Sequence, residues 1–527
     1  ASIVATAGSF ALIPHLTSGM STENAWLASI AISYPLMAIP FLPGGIILSL
    51  ALTKASTRIS KLYAADLLGA ACGCIAIIIL LNLTDALTAI FVLASAASLA
   101  AYAFAEASKK RTTSVMSALV CCILLAVSAF HTVLVREHRP LISLTYVKGG
   151  KEITPLFEKW NSFSRIAVLD NKPDSKPTGW GLSPTMPDSW RSSEHLMLID
   201  GSAGTQLIKY DGKPDSVDYL KYDITNLAHV LRPDSNVLVI GVGGGRDILS
   251  AIAFRQRSVT GVEINENILN TVGKTFGDFT GHLDRVPGVK FINDEARGYV
   301  TRSNEKFDII QVSLVDTFAA TQSGALALTE NSLYTREAWK TFVEHLTPRG
   351  VLTFSRWYHK DHPYEMQRLA SLANEALLQC GVKQPREHII IANVQASSFG
   401  PERGVATIIV SKSPFSPADR KLLGDYCQSM KFDLLIDPSS DKEPLLAKLL
   451  SGKDAHRTLD NLPMDLSAPS DDRPYFFQST KVTNAFAGMV DYISNPQKWF
   501  GNGVGVELRA LFMQEPRPNL PCAVSRF

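Results

Sequence analysis

The sequence is poor in several residue types, and each shortage excludes a class of protein. Only seven of its 527 residues are cysteine, and no two of them form a Cys-x-x-Cys pair. This usage predicts neither a zinc site nor a disulfide framework, so no metal is expected. The formal net charge is only +2. A broad basic surface is therefore not indicated, and no nucleic-acid partner is expected.

Charged residues are also scarce in the first quarter of the chain. Residues 1–135 contain six Lys or Arg and four Asp or Glu, against totals of 51 and 49. Each apolar run there has about 20 residues or more, enough to cross a hydrocarbon core of about 30 Å as a helix. We therefore expect a multi-pass transmembrane helical domain over 1–135, with the lipid bilayer of the cell membrane as a partner. The five runs cover roughly 1–20, 26–52, 62–83, 86–105 and 113–135.

The rest of the chain alternates between strand-like and helix-like patterns. Residues 136–235 are predicted to be a linker and a β-hairpin unit, with strands near 163–170, 195–200 and 205–210 and helical spacing over 217–231. Residues 236–412 predict a Rossmann-like domain, a mostly parallel seven-stranded sheet with helices on both faces. Its strands are expected at 236–240, 258–262, 289–292, 307–312, 350–355, 388–394 and 405–411.

Residues 413–527 are predicted to be an appended α/β piece followed by a C-terminal tail. The chain starts inside an apolar run with Ala1 rather than Met. We therefore expect a fragment of a longer multi-pass protein.

A glycine-rich turn follows the first strand of the Rossmann-like domain. The apolar run Val237–Ile240 leads into the sequence GVGGGRD at 241–247, and a second strand ends in Glu263. Glycine lets the backbone turn tightly and approach a ligand closely. A carboxylate after the second strand is placed to bind the two hydroxyls of a ribose. The pattern predicts a nucleoside site beyond the carboxyl ends of these strands.

The glycine spacing separates two kinds of nucleoside site. The dinucleotide pattern G-x-G-x-x-G requires glycine at 246, where this chain has Arg246. The spacing G-x-G-G-G instead resembles S-adenosylmethionine-dependent folds. A nicotinamide site and a structural turn without a ligand stay as alternatives.

Several motifs occur in an order that resembles one family. Taken together, they resemble spermidine synthases (polyamine aminopropyltransferases), and more closely the membrane-fused spermidine synthase-like proteins. The resemblance covers roughly 60–480. The motifs are Asp200-Gly201 and Gln206 in the hairpin, Gly241–Gly245, Glu263, DEAR at 294–297, SLVDT at 313–317, TPRGVL at 347–352 and DDRPYFF at 471–477.

The resemblance implies a donor and residues that hold it. Spermidine synthases transfer an aminopropyl group from decarboxylated S-adenosylmethionine to putrescine. The donor here is thus expected to be S-adenosylmethionine or its decarboxylated form. The alternatives without a ligand are that Gln206 is an ordinary strand residue and that the acids at 294 and 295 only begin a helix. The resemblance implies Gln206 near the sulfonium, Gly241, Gly243 and Gly245 under the nucleoside, Glu263 at the ribose and Asp294 or Glu295 at the adenine amine.

The catalytic motif departs from the family pattern. The family has Asp-x-x-Asp after its fourth strand, and the first Asp helps to take a proton from the attacking amine. Here Ser313 stands at the first position and Asp316 at the second. A serine cannot act as a general base near neutral pH, so Asp316 is the expected catalytic carboxylate. Tyr222, Asp223 and Trp357 are expected to contact the substrate, a polyamine or another amine, and a homodimer is a further expectation.

Three functions remain open at this point. The first is an aminopropyltransferase with a rearranged base. The second is an S-adenosylmethionine-dependent methyltransferase, because methyl transfer depends mainly on positioning and tolerates the loss of the Asp. The third is a non-catalytic membrane transporter or sensor that binds a polyamine or nucleoside.

The charges near the membrane do not agree on which side the rest of the chain lies. Loops 53–61 and 106–112 contain all the basic residues of the first 135. The positive-inside rule makes both loops cytoplasmic and so puts 136–527 outside. An S-adenosyl donor is expected inside, and the basic residues between 136 and 151 favour that side too.

Overall fold

The computed structural model describes residues 41–54, 58–144, 150–170, 174–201, 203–315, 331–395 and 403–479, with short pieces at 32, 34–36, 38–39, 146–147 and 481. The described residues form two compact units. One contains those up to Leu169 together with Ile199–Gly201, and the other contains Asp170–Leu198 and those from 203 onward.

The first unit contains four apolar helices: α1 (Phe41–Lys54), α2 (Ile59–Leu83), α3 (Ala86–Ala107) and α4 (Arg111–Arg136). All four are long and apolar enough to cross a membrane, the first counted from Tyr34. None of the 25 residues of α2 is buried in the protein. A helix that is apolar on all sides needs a non-aqueous cover. The predicted run at 1–20 lies outside the described residues.

Short strands complete the first unit. They are β1 (Tyr146–Val147), β2 (Gly150–Lys151), β3 (Phe157–Trp160) and β4 (Arg165–Leu169). The strand predicted at 163–170 corresponds to β4, and β3 is an antiparallel partner that the sequence did not predict.

The predicted hairpin is formed by β5 (Glu194–Ile199) and β6 (Ala203–Ile208). The single helix expected over 217–231 is wrong. The chain forms a 3₁₀ helix at Pro214–Tyr222, a second one at Ile224–Asn226, and helix α5 at Leu227–Leu231. Asp223 breaks the helix because its backbone is extended, with φ −92° and ψ 130°, and its side chain caps the next turn.

A nine-stranded sheet forms the centre of this unit, in the order β15-β14-β12-β13-β11-β10-β7-β8-β9. Strands β9, β8, β7, β10 and β11 are parallel neighbours. Beyond β11 all pairs are antiparallel, so the sheet is mixed. The strands are β7 (Asn236–Ile240), β8 (Ser258–Glu263), β9 (Val289–Asn293), β10 (Phe307–Ser313), β11 (Leu346–His359), β12 (Ile389–Gln395), β13 (Arg403–Ser411), β14 (Asp433–Asp437) and β15 (Ser440–Asp441).

All seven predicted strands form, as β7 to β13, but the sheet has nine strands because the segment after 412 adds β14 and β15. Strand β14 pairs with β12, so that Ile436 lies beside Ile391 and Leu434 beside Ala392. This apolar edge is covered by the added strand instead of being exposed to water.

Helices cover both faces of the sheet, as predicted. One buried cluster includes Trp339, Phe354 and Leu369, and the cluster on the other face includes Ile248 and Ile409. The strand order reverses between β7 and β10, and a crevice for ligands is expected there at the carboxyl ends. The helices are α6 (Arg246–Ala253), α7 (Glu266–Asn270), α8 (Gly277–Thr280), α9 (Ala296–Arg302), α10 (Arg336–Glu344), α11 (Tyr364–Gln379), α12 (Pro417–Met430), α13 (Pro444–Leu449) and α14 (Ala455–Asp460).

Candidate active site

The glycine loop lies between β7 and α6, under the hairpin strand β6. Gly241, Gly243 and Gly245 have φ angles of +82°, +50° and +87°. These left-handed conformations favour glycine. A Cβ at Gly244 would lie 2.0 Å from the carbonyl oxygen of Gln206. The loop therefore needs glycine at 244 for close packing, a role that the local sequence does not specify.

Glu263 ends β8 and is joined to the glycine loop. Its side chain accepts hydrogen bonds from the backbone N–H of Asn265 at 3.0 Å and of Gly243 at 3.4 Å. Burial raises the pKa of Glu263, and these backbone donors oppose the rise. The two residues predicted to bind one nucleoside are thus in contact. Each carboxylate oxygen retains a lone pair that can accept a hydroxyl.

Gln206 lies on β6, directly above the loop. Its Oε1 is buried and has no hydrogen-bond partner among the described residues. A buried acceptor without a partner costs about 1–3 kcal/mol. A polar ligand under β6 would satisfy this oxygen, so the residue suits a nucleoside donor at the loop.

Asp294 and Glu295 follow β9 at the same edge of the sheet. The Glu295 carboxylate caps α9, accepting from the backbone N–H of Arg297 at 3.0 Å and of Gly298 at 2.6 Å. Asp294 forms an ion pair with Arg302, which holds the pKa of Asp294 below its usual range. Both acids therefore begin a helix, and a contact with adenine stays a prediction.

Asp223 is only 1% exposed. Its carboxylate accepts from the backbone N–H of Trp180 at 3.0 Å and of Gly181 and Thr225 at 3.2 Å each. It also accepts from the Arg246 guanidinium at 3.0 Å. Asp223 was predicted to contact the substrate, but all of its described partners are protein groups. These bonds connect the start of α6 to the hairpin unit.

The two aromatic residues predicted at the substrate lie in different places. Tyr222 lines a surface depression with Phe254 and Tyr426. Phe254 follows the far end of α6, so Tyr222 is remote from the glycine loop. Trp357 packs edge-on against Trp180, with ring centroids 6.0 Å apart and an interplanar angle of 84°. Because the Trp180 backbone binds Asp223, this aromatic pair is close to the crevice.

Of the two residues predicted to be catalytic, Ser313 is described and Asp316 lies outside the described residues. Ser313 ends β10, and its Oγ accepts from Gln311 Nε2 at 3.2 Å. Its hydroxyl also lies close enough to the Asp247 carboxylate to lower the pKa of that acid.

Asp247 is a site residue that the sequence reasoning missed. It is the second residue of α6 and is 6% exposed. Burial raises its pKa to about 6, against the lowering effects of Ser313 and Arg246. An acid in the first turn of a helix ordinarily complements the helix dipole, so no local signal distinguishes it. The described residues contain no group of three or more His, Cys, Asp or Glu suited to a metal ion.

Part of this chain is similar in sequence to a known protein family. Residues 218–381 match the Spermine/spermidine synthase domain. A polyamine aminopropyltransferase from Korarchaeum cryptofilum is 26% identical over 130 residues, which are 24% of this chain and 38% of that protein. The chain thus spans well under half the length of this curated relative.

Solved structures of spermidine synthases are also similar. The one from Thermotoga maritima is 14% identical, with a TM-score of 0.33, over 56% of this chain and 83% of that chain. A probable spermidine synthase from Corynebacterium glutamicum is 17% identical, with a TM-score of 0.38, over 56% of this chain and 94% of that one. The matched segment 218–381 includes the glycine loop, Glu263, Asp247 and Ser313. The chain is thus similar to spermine/spermidine synthases over residues 218–381.

Proposed function

We propose that the protein is a membrane-anchored aminopropyltransferase, which moves an aminopropyl group from decarboxylated S-adenosylmethionine to a polyamine or another amine. The observation that carries the proposal is the contact between the glycine loop and Glu263 inside a spermine/spermidine synthase domain. The curated relative is named a polyamine aminopropyltransferase, which supports the same reaction class.

The donor is proposed to lie across the carboxyl ends of β7 and β8. The unpartnered Oε1 of Gln206 supports a polar group beneath β6. The left-handed glycines leave room for the close approach of a nucleoside. The residues proposed to hold the donor are Gln206, Gly241, Gly243, Gly245, Glu263, Asp294 and Glu295.

The acceptor is proposed to be cationic. Asp316 is the carboxylate that the sequence predicts to lie at this acceptor. Trp357 is proposed to stack on the amine, because a cation over an indole face is attracted by about 0.5–2 kcal/mol. For Asp223 we propose an indirect role, in which it holds Arg246 and the start of α6 in place. Tyr222 is proposed to line the surface depression beside Tyr426.

Membrane anchoring rests on the four apolar helices. Large side chains on them face outward, for example Leu68, which is 67% exposed. An exposed apolar surface of this extent indicates a membrane or partner interface. We propose a multi-pass protein of the cell membrane, with a homodimer as its assembly.

One observation favours a second candidate, an S-adenosylmethionine-dependent methyltransferase. Residue 313 at the crevice is a serine rather than a carboxylate. Methyl transfer needs positioning more than a base, so this site would support it.

The test uses the full chain purified in detergent. Calorimetry with S-adenosylmethionine, its decarboxylated form and the thioether product should show binding, strongest for the decarboxylated donor. Glu263→Gln should weaken it by about 1–3 kcal/mol, because a hydrogen-bonded ribose partner is lost. Asp215→Asn is the matched control, since Asp215 pairs with Arg255 on the surface.

Product formation then decides between the candidates. Transfer of a labelled aminopropyl group to putrescine or spermidine is the expected result. Methyl transfer without aminopropyl transfer would favour the second candidate. Binding without either reaction would favour a sensor or transporter, and no binding of any of the three nucleosides would remove the enzyme proposals together.

A further inference from the structure

The carboxylates at the carboxyl edge of the sheet differ in how fully they are bonded. Both oxygens of Glu263 accept from backbone N–H groups, and so do both oxygens of Glu295. Asp223 is bonded through both oxygens as well. The Ser313 hydroxyl lowers the pKa of Asp247, but Asp247 Oδ1 is buried and no described residue bonds it. Asp247 thus keeps an oxygen available for a ligand.

Asp247 also stands at the position in the fold where chemistry is expected. It is the second residue of α6, which follows the glycine loop, and Ser313, its neighbour, ends β10. Strands β7 and β10 are the neighbours between which the strand order reverses. Ligands of doubly wound sheets lie in the crevice at this reversal.

A buried chain of hydrogen-bonded polar side chains leads to the Ser313 hydroxyl. The Gln256 amide donates to His229 Nδ1 at 3.1 Å, so the imidazole proton is on Nε2, which donates to Gln311 Oε1 at 2.8 Å. Burial lowers the pKa of His229 to about 4, which keeps the ring neutral. Gln311 Nε2 in turn donates to Ser313 Oγ at 3.2 Å. The serine oxygen therefore accepts from Gln311, which leaves the serine proton for the neighbouring Asp247 carboxylate.

We propose that Asp247 is the catalytic base of this transferase, and that Gln311 and Ser313 are positioning residues that orient its carboxylate. The proposal rests on the aminopropyl transfer proposed above. The base is thus assigned to α6, next to the serine at 313, rather than to Asp316.

The proposed step moves one proton to Asp247 and one aminopropyl group to the acceptor. The acceptor enters as an ammonium ion, and the Asp247 carboxylate takes one of its protons. The freed lone pair forms the new C–N bond while the C–S bond of the donor breaks, and that electron pair returns to sulfur as a neutral thioether. The product is a secondary ammonium ion, and the Asp247 carboxylic acid then gives its proton to water.

The charges around Asp247 suit this role. Arg246 on the same helix lowers its pKa, Asp223 from the hairpin unit raises it, and burial is the largest effect, so the carboxyl titrates at about 6. Burial opposes the positive charge of Arg246, and the carboxylates of Asp223 and Glu194 favour it. A base that titrates near the working pH is ionised and still accepts a proton readily.

The first experiment measures kcat for aminopropyl transfer by the full chain in detergent. Asp247→Asn should lower kcat by about 10²–10⁴-fold, the usual range for a general base. Binding of the thioether product should stay within about twofold, which shows that the variant is folded. Asp215→Asn should leave both values unchanged.

The second experiment tests Ser313 through the pH profile. Ser313→Ala removes the donor that lowers the Asp247 pKa, so the acid limb of the kcat profile should move to higher pH. Asp247→Ser combined with Ser313→Asp transfers the carboxylate to the facing side chain. This double variant should recover at least about tenfold over Asp247→Ser alone, since a positioned base is restored.

The outcomes separate this inference from the function on which it rests. If the wild type transfers aminopropyl groups and Asp247→Asn keeps its rate and pH profile, Asp247 is not the base, and the proposed function stands. An unshifted profile in Ser313→Ala would overturn the positioning role. If the wild type transfers no aminopropyl group to any amine, the proposed function fails, and the assignment of a base for it falls too.

Discussion

Asp247 should make the folded protein less stable as it ionises, which gives a prediction independent of activity. Its pKa rises from 3.8 in the unfolded chain to about 6 in the folded one. A carboxyl whose pKa is higher in the folded than in the unfolded chain stabilises the fold fully at pH values below the unfolded-state pKa. This stabilisation is lost as the pH rises through the folded-state pKa. The loss should therefore occur between about pH 4 and pH 7. Asp247→Asn removes the titrating group and nearly keeps its shape.

The size of the effect follows from the two pKa values. At 1.36 kcal/mol for each pKa unit, a rise from 3.8 to about 6 costs roughly 3 kcal/mol in the fully ionised state. The amide introduced by Asp247→Asn adds a cost of its own, because its NH₂ group replaces an oxygen. That cost is independent of pH. The informative quantity is thus the change with pH in the free energy of unfolding of Asp247→Asn relative to wild type.

The assay is urea unfolding of the full chain in detergent, followed by near-UV circular dichroism at pH 4.5 and pH 8. Asp247→Asn should gain about 2 kcal/mol relative to wild type between these two values, because most of the titration falls between them. Asp215→Asn should show no such gain. Equal differences at both pH values would mean that Asp247 is not held in a buried, poorly solvated position, and the reasoning about the base would lose its electrostatic support.

Three further predictions concern packing, the glycine loop and the membrane. Asp223→Ala should cost about 3–5 kcal/mol in unfolding free energy, because it leaves a buried guanidinium unpaired; Asp223→Asn should cost less, and equal stability of Asp223→Ala and wild type would contradict the assignment. Gly244→Ala should weaken donor binding in calorimetry, since its Cβ would lie 2.0 Å from the Gln206 carbonyl, whereas Gly424→Ala has nothing within 4 Å and should bind normally. Ile75→Arg puts a charge near the middle of α2 and should cost about 2.5–3.5 kcal/mol of insertion, seen as a smaller membrane fraction after carbonate extraction; an unchanged fraction would mean that α2 does not span.

Local sequence patterns predicted much of the fold because their causes are local. Apolar runs bounded by glycine, proline or charge placed β7, β8 and β10 within a residue or two. The glycine loop and Glu263 belong to a single βαβ unit, so their contact follows from a short stretch of chain. The long apolar runs correspond to the four described helices for the same reason.

Other predictions failed where distant residues decide the outcome. Strand β11 was expected at 350–355 and extends from Leu346 to His359, because β13 pairs with it as far as His359. The helix expected over 217–231 is interrupted because Asp223 has a more favourable set of partners in Arg246 and the turn at Trp180–Gly181. Asp316 stays a predicted carboxylate outside the described residues.

The sequence by itself determined the class of the protein: an apolar helical part, a doubly wound sheet, and a glycine loop with an acid after the next strand. These features depend on the periodicity of apolar residues and on local backbone conformation, and both can be read from one sequence. Only the tertiary structure decided which carboxylates are already bonded and which is not. Asp223 and Asp247 look alike in sequence, as acids beside short helices. Their chemistry differs because Asp223 meets Arg246 and four other donors, whereas Asp247 Oδ1 is buried without a partner among the described residues.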